Sequence, residues 1–300
     1  MNHTLTLKIL LAVIMFTSIF RAFAMDRGPS TFPGATRSVD IDGNIFQFSM
    51  PENFSRDMPA NDMIKKVDTH SQDFRYSGHA KTVIQRWWDV KERGFFGKNL
   101  GSLMMNIAIH KAQDHSSQWG AFDTQSRFDY IIMIDEHMTR HYDDINKNIS
   151  QQESEFDRHS YSGFSVYGDE IKTSFNDRLS NNQLWTHYGS TGPNGLLTAY
   201  YSIPISPDAF IEVQFLHAPN HDSGSWEFLD RARNIVTAVV DSFHVDYAKK
   251  NPVKAAVEEH WQAKAIADVI GDNQDKLLTL FEQRALDGGN QESRPLESPE

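Results

Sequence analysis

The feature that most constrains the fold is the stretch Gly195–Tyr247, in which two alternating segments are followed by one with helical periodicity. In the second segment Ile211, Val213 and Phe215 alternate with polar residues, among them Glu212. A period of two predicts a β-strand that has one face in the core and the other in water. The preceding segment alternates in the same way, so the pattern predicts two neighbouring strands.

A short polar sequence, Ser206-Pro207-Asp208-Ala209, separates the two predicted strands. Proline at the second position of a turn fixes φ, and serine or aspartate beside it can bond the turn backbone, which predicts an antiparallel hairpin. After Ser225, a predicted helix N-cap, apolar residues recur at steps of three and four. They are Leu229, Ala232, Val236, Val239 and Phe243. A helix laid across an antiparallel sheet would bury both apolar surfaces.

Similar patterns elsewhere predict the remaining elements. Asp42-Gly43 between alternating apolar residues predicts a hairpin over Arg37–Met50. Strands are predicted at 81–90 and 102–111, a long helix at 128–149, and amphipathic C-terminal helices at 252–270 and 274–286. The predicted fold class is α+β, with a twisted antiparallel sheet, helices packed on one of its faces and a C-terminal helical extension.

The same patterns predict how the chain is divided. Residues 1–24 are predicted to be a signal peptide and residues 25–250 an α+β body, in which a division into two subdomains near residue 150 is left open. Residues 251–286 are the predicted C-terminal helices. Residues 287–300 are rich in Gly, Glu, Ser and Pro and are predicted to be disordered.

The signal peptide is predicted from three features of the N-terminus. Lys8 gives a weakly basic start, Ile9–Phe20 is an apolar run, and Ala22-Phe23-Ala24 has the small residues of a cleavage site. Cleavage after this site predicts export, and the absence of cysteine favours a bacterial periplasm. A retained anchor is the alternative, although this run would span about 18 Å of a hydrocarbon core that is about 30 Å thick.

The composition limits both the chemistry and the partners. Because the chain has no cysteine, thiol nucleophiles, thiolate zinc sites and iron–sulfur centres are excluded. The formal net charge of -11 disfavours nucleic acid and anionic membrane as partners. The same negative charge suits a basic protein partner. The alternative explanation of the charge is simple solubility. No later segment is predicted to span a membrane.

Among the 13 histidines, one pair has the spacing of a metal site. Glu136-His137-x3-His141 places two imidazoles one helical turn apart, a spacing that can hold zinc. No third ligand is indicated, and both histidines lie off the apolar stripe that contains Met138 and Tyr142. A solvated helix face is therefore the interpretation, and neither a metal nor a cofactor is predicted.

Motifs for covalent catalysis are missing from the sequence. It has no G-x-S-x-G turn, and Gly94, Gly97 and Gly101 are not followed by a helix start that would hold phosphate. Adjacent acidic residues such as Asp143-Asp144 do not face each other on a helix. We therefore predict no catalytic residue, and the chain is not expected to be an enzyme.

One segment has the composition of a contact surface for a protein partner. Aromatic and basic residues are interspersed along it, and large rigid rings bury area at a low entropic cost. The predicted partner-binding residues are Arg86, Trp87, Arg93, Phe95, Phe96 and Lys98. The alternative is packing within the fold, which is favoured for Trp87 and Trp88. For Phe95 and Phe96 both interpretations remain open.

Several short motifs resemble those of PsbP-like and DcrB-like domains. An F-x-F-x-M-P-x-x-F motif runs from Phe46 to Phe54, a Y-x-I-P-I-S-x-D sequence begins at Tyr201, and the segment from Trp226 to Val245 resembles the end of these domains. The arrangement is also similar to periplasmic immunity proteins of type VI secretion, including those that neutralise lipase effectors. The resemblance spans about two thirds of the chain. It implies a fold and no catalytic residues.

The resemblance, the predicted export and the lack of catalytic motifs together predict a non-enzymatic periplasmic binding protein. Its expected role is that of an immunity protein that neutralises a cognate toxic effector by direct binding. Two alternatives stay open. One is an exported hydrolase whose site has no recognisable motif and is built from the many His, Asp and Ser residues. The other is a protein with an envelope-assembly or chaperone-like role.

Overall fold

The computed structural model describes most of the chain after residue 33. The described residues are 34–55, 57–76, 80–92, 97–112, 121–150, 160–161, 163–167, 170–192, 196–220 and 225–291. Three predicted features therefore lie outside them, wholly or in part. These are the signal peptide, residues 93–96 of the predicted contact surface, and residues 292–300 of the predicted disordered tail.

The centre of the fold is an antiparallel main sheet of seven strands. In spatial order they are β4 (Ala80–Lys91), β5 (Asn99–Lys111), β12 (Ala209–Pro219), β11 (Leu197–Ser206) and β10 (Gln183–Thr191), with β6 (Ser160–Tyr161) and β9 (Asn176–Ser180) both paired along the outer edge of β10. Since β12 pairs with β5 along its whole length, strands from both sides of residue 150 lie side by side in one sheet.

The hairpin predicted around Pro207 is present and forms the middle of the main sheet. Its turn contains Pro207 and Asp208, and the Ser206 hydroxyl donates to Asp208 Oδ1 at 2.6 Å. Such side-chain bonds are the reason that polar residues favour turns. The predicted helix and final strand also follow, as α3 (Ser225–Val240) and β13 (His244–Asp246).

A smaller second sheet contains the other predicted hairpin, formed by β1 (Thr36–Ile41) and β2 (Asn44–Ser49). In its turn Asp42 and Gly43 have φ values of 52° and 85°, the positive values of the tight turn that Asp-Gly favours. The short strand β3 (Lys66–Val67) pairs with β1 in parallel, and β13 pairs with β2. The second sheet therefore has the order β13-β2-β1-β3.

The remaining elements include the longest helix. α2 (Arg127–Ser150) confirms the helix predicted at 128–149. A short helix, α1 (Gln72–Tyr76), precedes β4, and β7 (Phe164–Tyr167) and β8 (Glu170–Thr173) pair as a two-stranded sheet. None of the helices among the described residues is both long enough and apolar enough to cross a bilayer.

Helices α2 and α3 cover opposite faces of the main sheet. On one side, the α2 face, the Tyr142 hydroxyl of α2 lies 2.6 Å from that of Tyr200 on β11. On the other, the α3 face, the ring of Trp185 lies 4.9 Å from that of Phe243, which follows α3. The α+β fold class is confirmed, and the helices, expected on one face, lie on two. The reason is that β5, β11 and β12 carry buried residues on both sides, so each face needs a cover.

The first predicted C-terminal helix is interrupted. In place of one helix over 252–270 the chain forms a π-helical turn, a 3-10 turn that begins at Trp261, and the short helix α4 (Ile266–Gly271). The interruption places Trp261 in the core, where its ring centroid lies 5.1 Å from that of Tyr130 on α2. Burying this large ring favours the broken backbone over a continuous helix.

The last helix, α5 (Gln274–Gln291), continues past its predicted end at Leu286 and into the segment predicted to be disordered. Its Arg284 Nη1 donates to Oδ2 of Asp135 on α2 at 3.0 Å. Asp135 is only 2% exposed. This largely buried ion pair attaches the C-terminal helices to the body, the packing that is the default expectation for an amphipathic extension.

Candidate functional site

A group of polar side chains is buried on the α2 face of the main sheet. Glu212, in β12, is 7% exposed. Its Oε2 accepts a 2.7 Å hydrogen bond from the Tyr188 hydroxyl of β10, and its Oε1 lies 3.4 Å from Nε2 of His110 on β5. The strand register explains the second contact, because His110 lies opposite Phe210 and is thus a diagonal neighbour of Glu212 on one face.

Helix α2 adds a second histidine to this group. The ring centroid of His137 lies 4.6 Å from that of His110 and 5.5 Å from that of Phe210. One ligand atom from each of His110, His137 and Glu212 lies within 4.8 Å of the other two. These three residues, which come from three separate elements, are named the His–Glu cluster below.

Burial and neighbouring groups set the protonation of the His–Glu cluster. Burial by itself would raise the pKa of Glu212, but the interaction with His110, 3.4 Å away, lowers it to about 2. Burial, and after it the adjacent His110, lowers the pKa of His137 to about 3. At neutral pH the cluster therefore contains an ionised carboxylate and a neutral His137 imidazole, and both carry lone pairs that a cation can accept.

The buried polar layer continues along the α2 face beyond the His–Glu cluster. The hydroxyl of Tyr142 on α2 lies 2.5 Å from Oγ of Ser190 and 2.6 Å from the hydroxyl of Tyr200. The rings of Tyr188 and Tyr200 stack at 5.2 Å, with 9° between their planes. Burial raises the pKa of Tyr200, so this hydroxyl keeps its proton. Hydrogen bonds as well as apolar contacts therefore hold α2 on the sheet.

Two sequence expectations change in this region. The alternation in β12 predicts that Glu212 lies in water, but α2 covers that face and the residue is buried. The prediction that this helix face is solvated is wrong for His137, whose ring packs against those of His110 and Phe210. It holds for His141, one turn later, which is exposed. No pattern in the sequence links the three members of the cluster, because each lies on a different element.

A groove lies on the α3 face, between the main sheet and α3, and has a volume of about 510 Å³. Gly189 of β10 and Ala199 of β11 lie opposite each other along it, so the floor is low at this point. Leu229 and Val236 of α3 line one side, and Leu197 lines it from β11. The space between α3 and these small floor residues is named the α3 groove.

Trp226 stands beside the α3 groove in the first turn of α3. It is 81% exposed, more than any other large hydrophobic residue among those described. Leu229 and Arg233, which line the groove, follow it by three and seven residues and therefore share its side of the helix. Leu197, which lines the groove from β11, is 37% exposed. A large exposed ring next to an apolar groove is typical of a protein contact surface.

Two histidines line the α3 groove, and both are held neutral. Burial, and after it the charge of Arg178, lowers the pKa of His187. Burial also lowers the pKa of His217, although hydrogen bonds to the backbone at Leu197 and Phe215 oppose this shift. Arg233 is thus the charged side chain of the groove lining at neutral pH.

These lowered pKa values predict how stability depends on pH. As the pH falls through about 6.5, the unfolded chain binds protons at these histidines while the folded chain still excludes them. The free energy of unfolding should therefore decrease below pH 6.5. Urea unfolding at several pH values should show a shallower decrease for the variant His217→Gln than for the unmodified chain. Parallel curves for the two proteins would contradict this assignment.

The structure describes three of the six predicted partner-binding residues. The Arg86 guanidinium is partly buried, with Nη1 donating to the backbone oxygen of Asn61 at 2.5 Å and the group lying 5.1 Å from the ring centre of Phe54. Trp87 is also partly buried, whereas Lys98 is exposed. Contacts within the fold thus occupy much of Arg86, which leaves Lys98 as the more accessible of the two cations.

The neighbouring Trp88 is a core residue, as the interpretation of packing within the fold predicts. Trp88 is 0% exposed, and its indole N–H donates to the backbone oxygen of Pro51 at 3.2 Å. Arg93, Phe95 and Phe96 lie outside the described residues. The contact surface at 86–98 therefore stays a prediction.

Comparisons with known proteins identify no relative. No protein-family model, curated protein or solved structure matches the chain. The resemblance to periplasmic immunity proteins therefore stays an expectation from short motifs.

Proposed function

We propose that this chain is an exported, non-enzymatic binding protein that neutralises a toxic effector protein by direct contact, and that it uses the α3 groove with Trp226. The observation that carries the proposal is the 81% exposure of Trp226 beside the groove. Exposed indole is unfavourable in water, and tryptophan is the side chain most enriched at the energetic centres of protein interfaces. The resemblance to immunity proteins supports the choice of partner.

The layout of the surface favours a protein over a small molecule. Trp226 lies outside the groove lining, while Leu229 and Arg233 lie within it on the same side of α3. An occupant that covers all three must reach from the groove to the first turn of the helix. A protein segment can do so, with an apolar side chain in the groove and its backbone passing Trp226.

Charge indicates what the partner segment carries. Arg233 is exposed and forms no ion pair with any described residue. Its planar guanidinium can bind a carboxylate through two parallel hydrogen bonds. The expected partner segment thus has an aliphatic or aromatic residue close to an aspartate or glutamate. The acidic net charge of -11 would speed association if the rest of the partner is basic.

The proposal is tested with the protein encoded by the neighbouring gene, which is the expected toxin. The purified chain should bind this toxin in calorimetry, and co-expression should protect cells from it. Trp226→Ala should weaken binding by about 30-fold or more, the effect of removing an interface hot spot. Ala199→Leu, which fills the groove from its floor, should weaken binding to a similar degree.

The matched control is Leu179→Ala. Leu179 is an exposed apolar residue of β9, 56% exposed, and it does not line the groove. This variant should bind within about twofold of the unmodified chain, since isolated exposed apolar residues contribute little. Absence of binding and of protection would refute the function. Binding that is unaffected by Trp226→Ala and Ala199→Leu would refute the surface and keep the function.

A further inference from the structure

The His–Glu cluster has the composition and arrangement of a metal site that the proposed function does not use. It combines two imidazoles and one carboxylate, a ligand set that suits zinc and is found at zinc sites with three protein ligands. Magnesium and calcium prefer sites made of oxygen ligands alone. We propose that His110, His137 and Glu212 bind a divalent metal ion of the zinc class, which ties α2 to the main sheet.

The spacing of the ligand atoms is close to that required. Zinc–ligand bonds of about 2.0–2.1 Å in a tetrahedron place neighbouring ligand atoms about 3.3 Å apart. In the cluster, Nε2 of His110 and Oε1 of Glu212 are already 3.4 Å apart, and all three ligand atoms lie within 4.8 Å of one another. The remaining adjustment concerns His137, whose ring must move toward the other two by a rotation of its side chain.

The backbone already holds two of the ligands. His110 and Glu212 lie on paired strands in the middle of the sheet, where ladder hydrogen bonds fix their separation. His137 approaches from α2, and Tyr142, five residues later, holds this helix on the sheet through Tyr200. A site whose ligands are positioned by rigid elements loses little entropy when the ion binds.

A supporting residue fixes the carboxylate. The Tyr188 hydroxyl donates to Oε2 of Glu212 at 2.7 Å, which leaves Oε1 facing the histidines. In most metal sites, hydrogen bonds from residues that do not themselves bind the metal orient the ligands. Glu212 is also a buried carboxylate that, among the described residues, has no Lys or Arg within ion-pair distance. Its ionic partner is His110, 3.4 Å away, and a zinc ion held by both side chains would take the place of the proton on that imidazole.

Two of the three ligand residues are only partly buried. The His110 side chain is 14% exposed, and the His137 residue is partly exposed as well. Three protein ligands leave the fourth tetrahedral position to a water molecule. Nε2 of His110 is itself buried and has no hydrogen-bond partner among the described residues, and a bound ion would satisfy this ligand atom. The open fourth position distinguishes the proposed site from closed structural sites with four protein ligands.

The test is a zinc titration of the full chain, produced without a histidine tag and stripped of metal with a chelator. Calorimetry and elemental analysis should give one zinc ion per chain. The midpoint of thermal unfolding should rise by about 5–10 °C at a free zinc concentration about 100 times the dissociation constant. Cobalt in place of zinc should give the visible absorption of a tetrahedral site. Absence of saturable binding to the unmodified chain would overturn the proposal, whatever the variants do.

Three variants and one control then locate the site. His137→Gln and Glu212→Gln should remove the single-site binding, and Tyr188→Phe should weaken it by about 10–100-fold, as expected for a residue that positions a ligand. His141→Gln removes an exposed histidine one turn away on the same helix. It should bind one zinc ion as tightly as the unmodified chain. An equal loss in His141→Gln and His137→Gln would overturn the assignment, because it would show general histidine binding.

Discussion

Replacing Trp185 with alanine is expected to destabilise the protein by about 3–5 kcal/mol, the range for removing a large ring from a packed core. Trp185 lies on β10 and is 0% exposed. Its ring centroid lies 5.7 Å from that of Phe46 in the second sheet and 4.9 Å from that of Phe243 after α3. One side chain thus fills the space where the main sheet, the second sheet and the end of α3 meet.

Urea and thermal unfolding of Trp185→Ala measure this loss, and two variants calibrate it. Trp226→Ala removes an equally large ring from the surface and should change stability by less than about 0.5 kcal/mol. Trp185→Phe should lose clearly less than Trp185→Ala, since it keeps an aromatic ring. It also removes an indole N–H that has no hydrogen-bond partner among the described residues. Equal losses in Trp185→Ala and Trp226→Ala would show that the three-way junction is not packed as described.

Replacing Asp177 with alanine is expected to destabilise the protein by about 3 kcal/mol, because it leaves a buried guanidinium without its counterion. Arg127, at the start of α2, is 4% exposed, and its Nη2 donates to Oδ1 of Asp177 on β9. Oδ2 of the same carboxylate accepts the backbone N–H of Ile266 at 2.8 Å. Asp177 therefore joins α2, β9 and the start of α4.

The neighbouring ion pair provides the control for this prediction. Asp241 pairs with Arg178 at the surface, where the two side chains are 57% and 34% exposed. Exposed pairs contribute roughly 0–1 kcal/mol, so Asp241→Ala should be nearly neutral in urea unfolding. The double replacement Arg127→Met with Asp177→Leu should recover much of the loss, because it removes the buried charge as well as its partner. The Asp177 side chain is 27% exposed, so a neutral Asp177→Ala would contradict its role as the counterion of the buried Arg127.

The local elements of the fold could be predicted because their signals are local. The Asp42-Gly43 and Pro207-Asp208 turns lie between segments of period two, and both form hairpins with the predicted centre. The helical spacing around Met138 predicts α2 within one residue at each end. In these segments turn chemistry and hydrophobic period agree with the final packing, so each can be interpreted without knowing the rest.

The covering of the sheet could not be predicted, because it depends on which elements meet. The alternation in β12 places Glu212 on the face of the strand opposite Ile211 and Val213. Only the position of α2 determines whether that face is exposed to solvent or buried. Trp261 shows the same limit, because its burial against Tyr130 interrupts a segment with the periodicity of a continuous helix. In both cases tertiary contacts override a correct local pattern.

The candidate sites show this limit most clearly. The members of the His–Glu cluster lie on three elements, with His110 on β5, His137 on α2 and Glu212 on β12. Strand register and the position of the helix bring them together, and neither can be predicted from a single segment of sequence. Trp226 lies just after the predicted helix start, where the sequence gives no measure of its exposure. In the segment 86–98 the composition predicts a contact surface that the structure does not fully expose. Arg86 and Trp87 are partly buried, and Arg86 bonds within the fold.

The second sheet also limits the order in which the chain can fold. Its strands β2 and β13 come from opposite ends of the body, and the backbone N–H of Ser49 donates to the hydroxyl of Ser242, 193 residues later. Closing so long a loop is entropically unfavourable until most other contacts exist, and such contact order slows folding. A growing chain can therefore form its local hairpins early. In the second sheet β1 and β2 can pair early, whereas β13 can join them only after residue 246 is available.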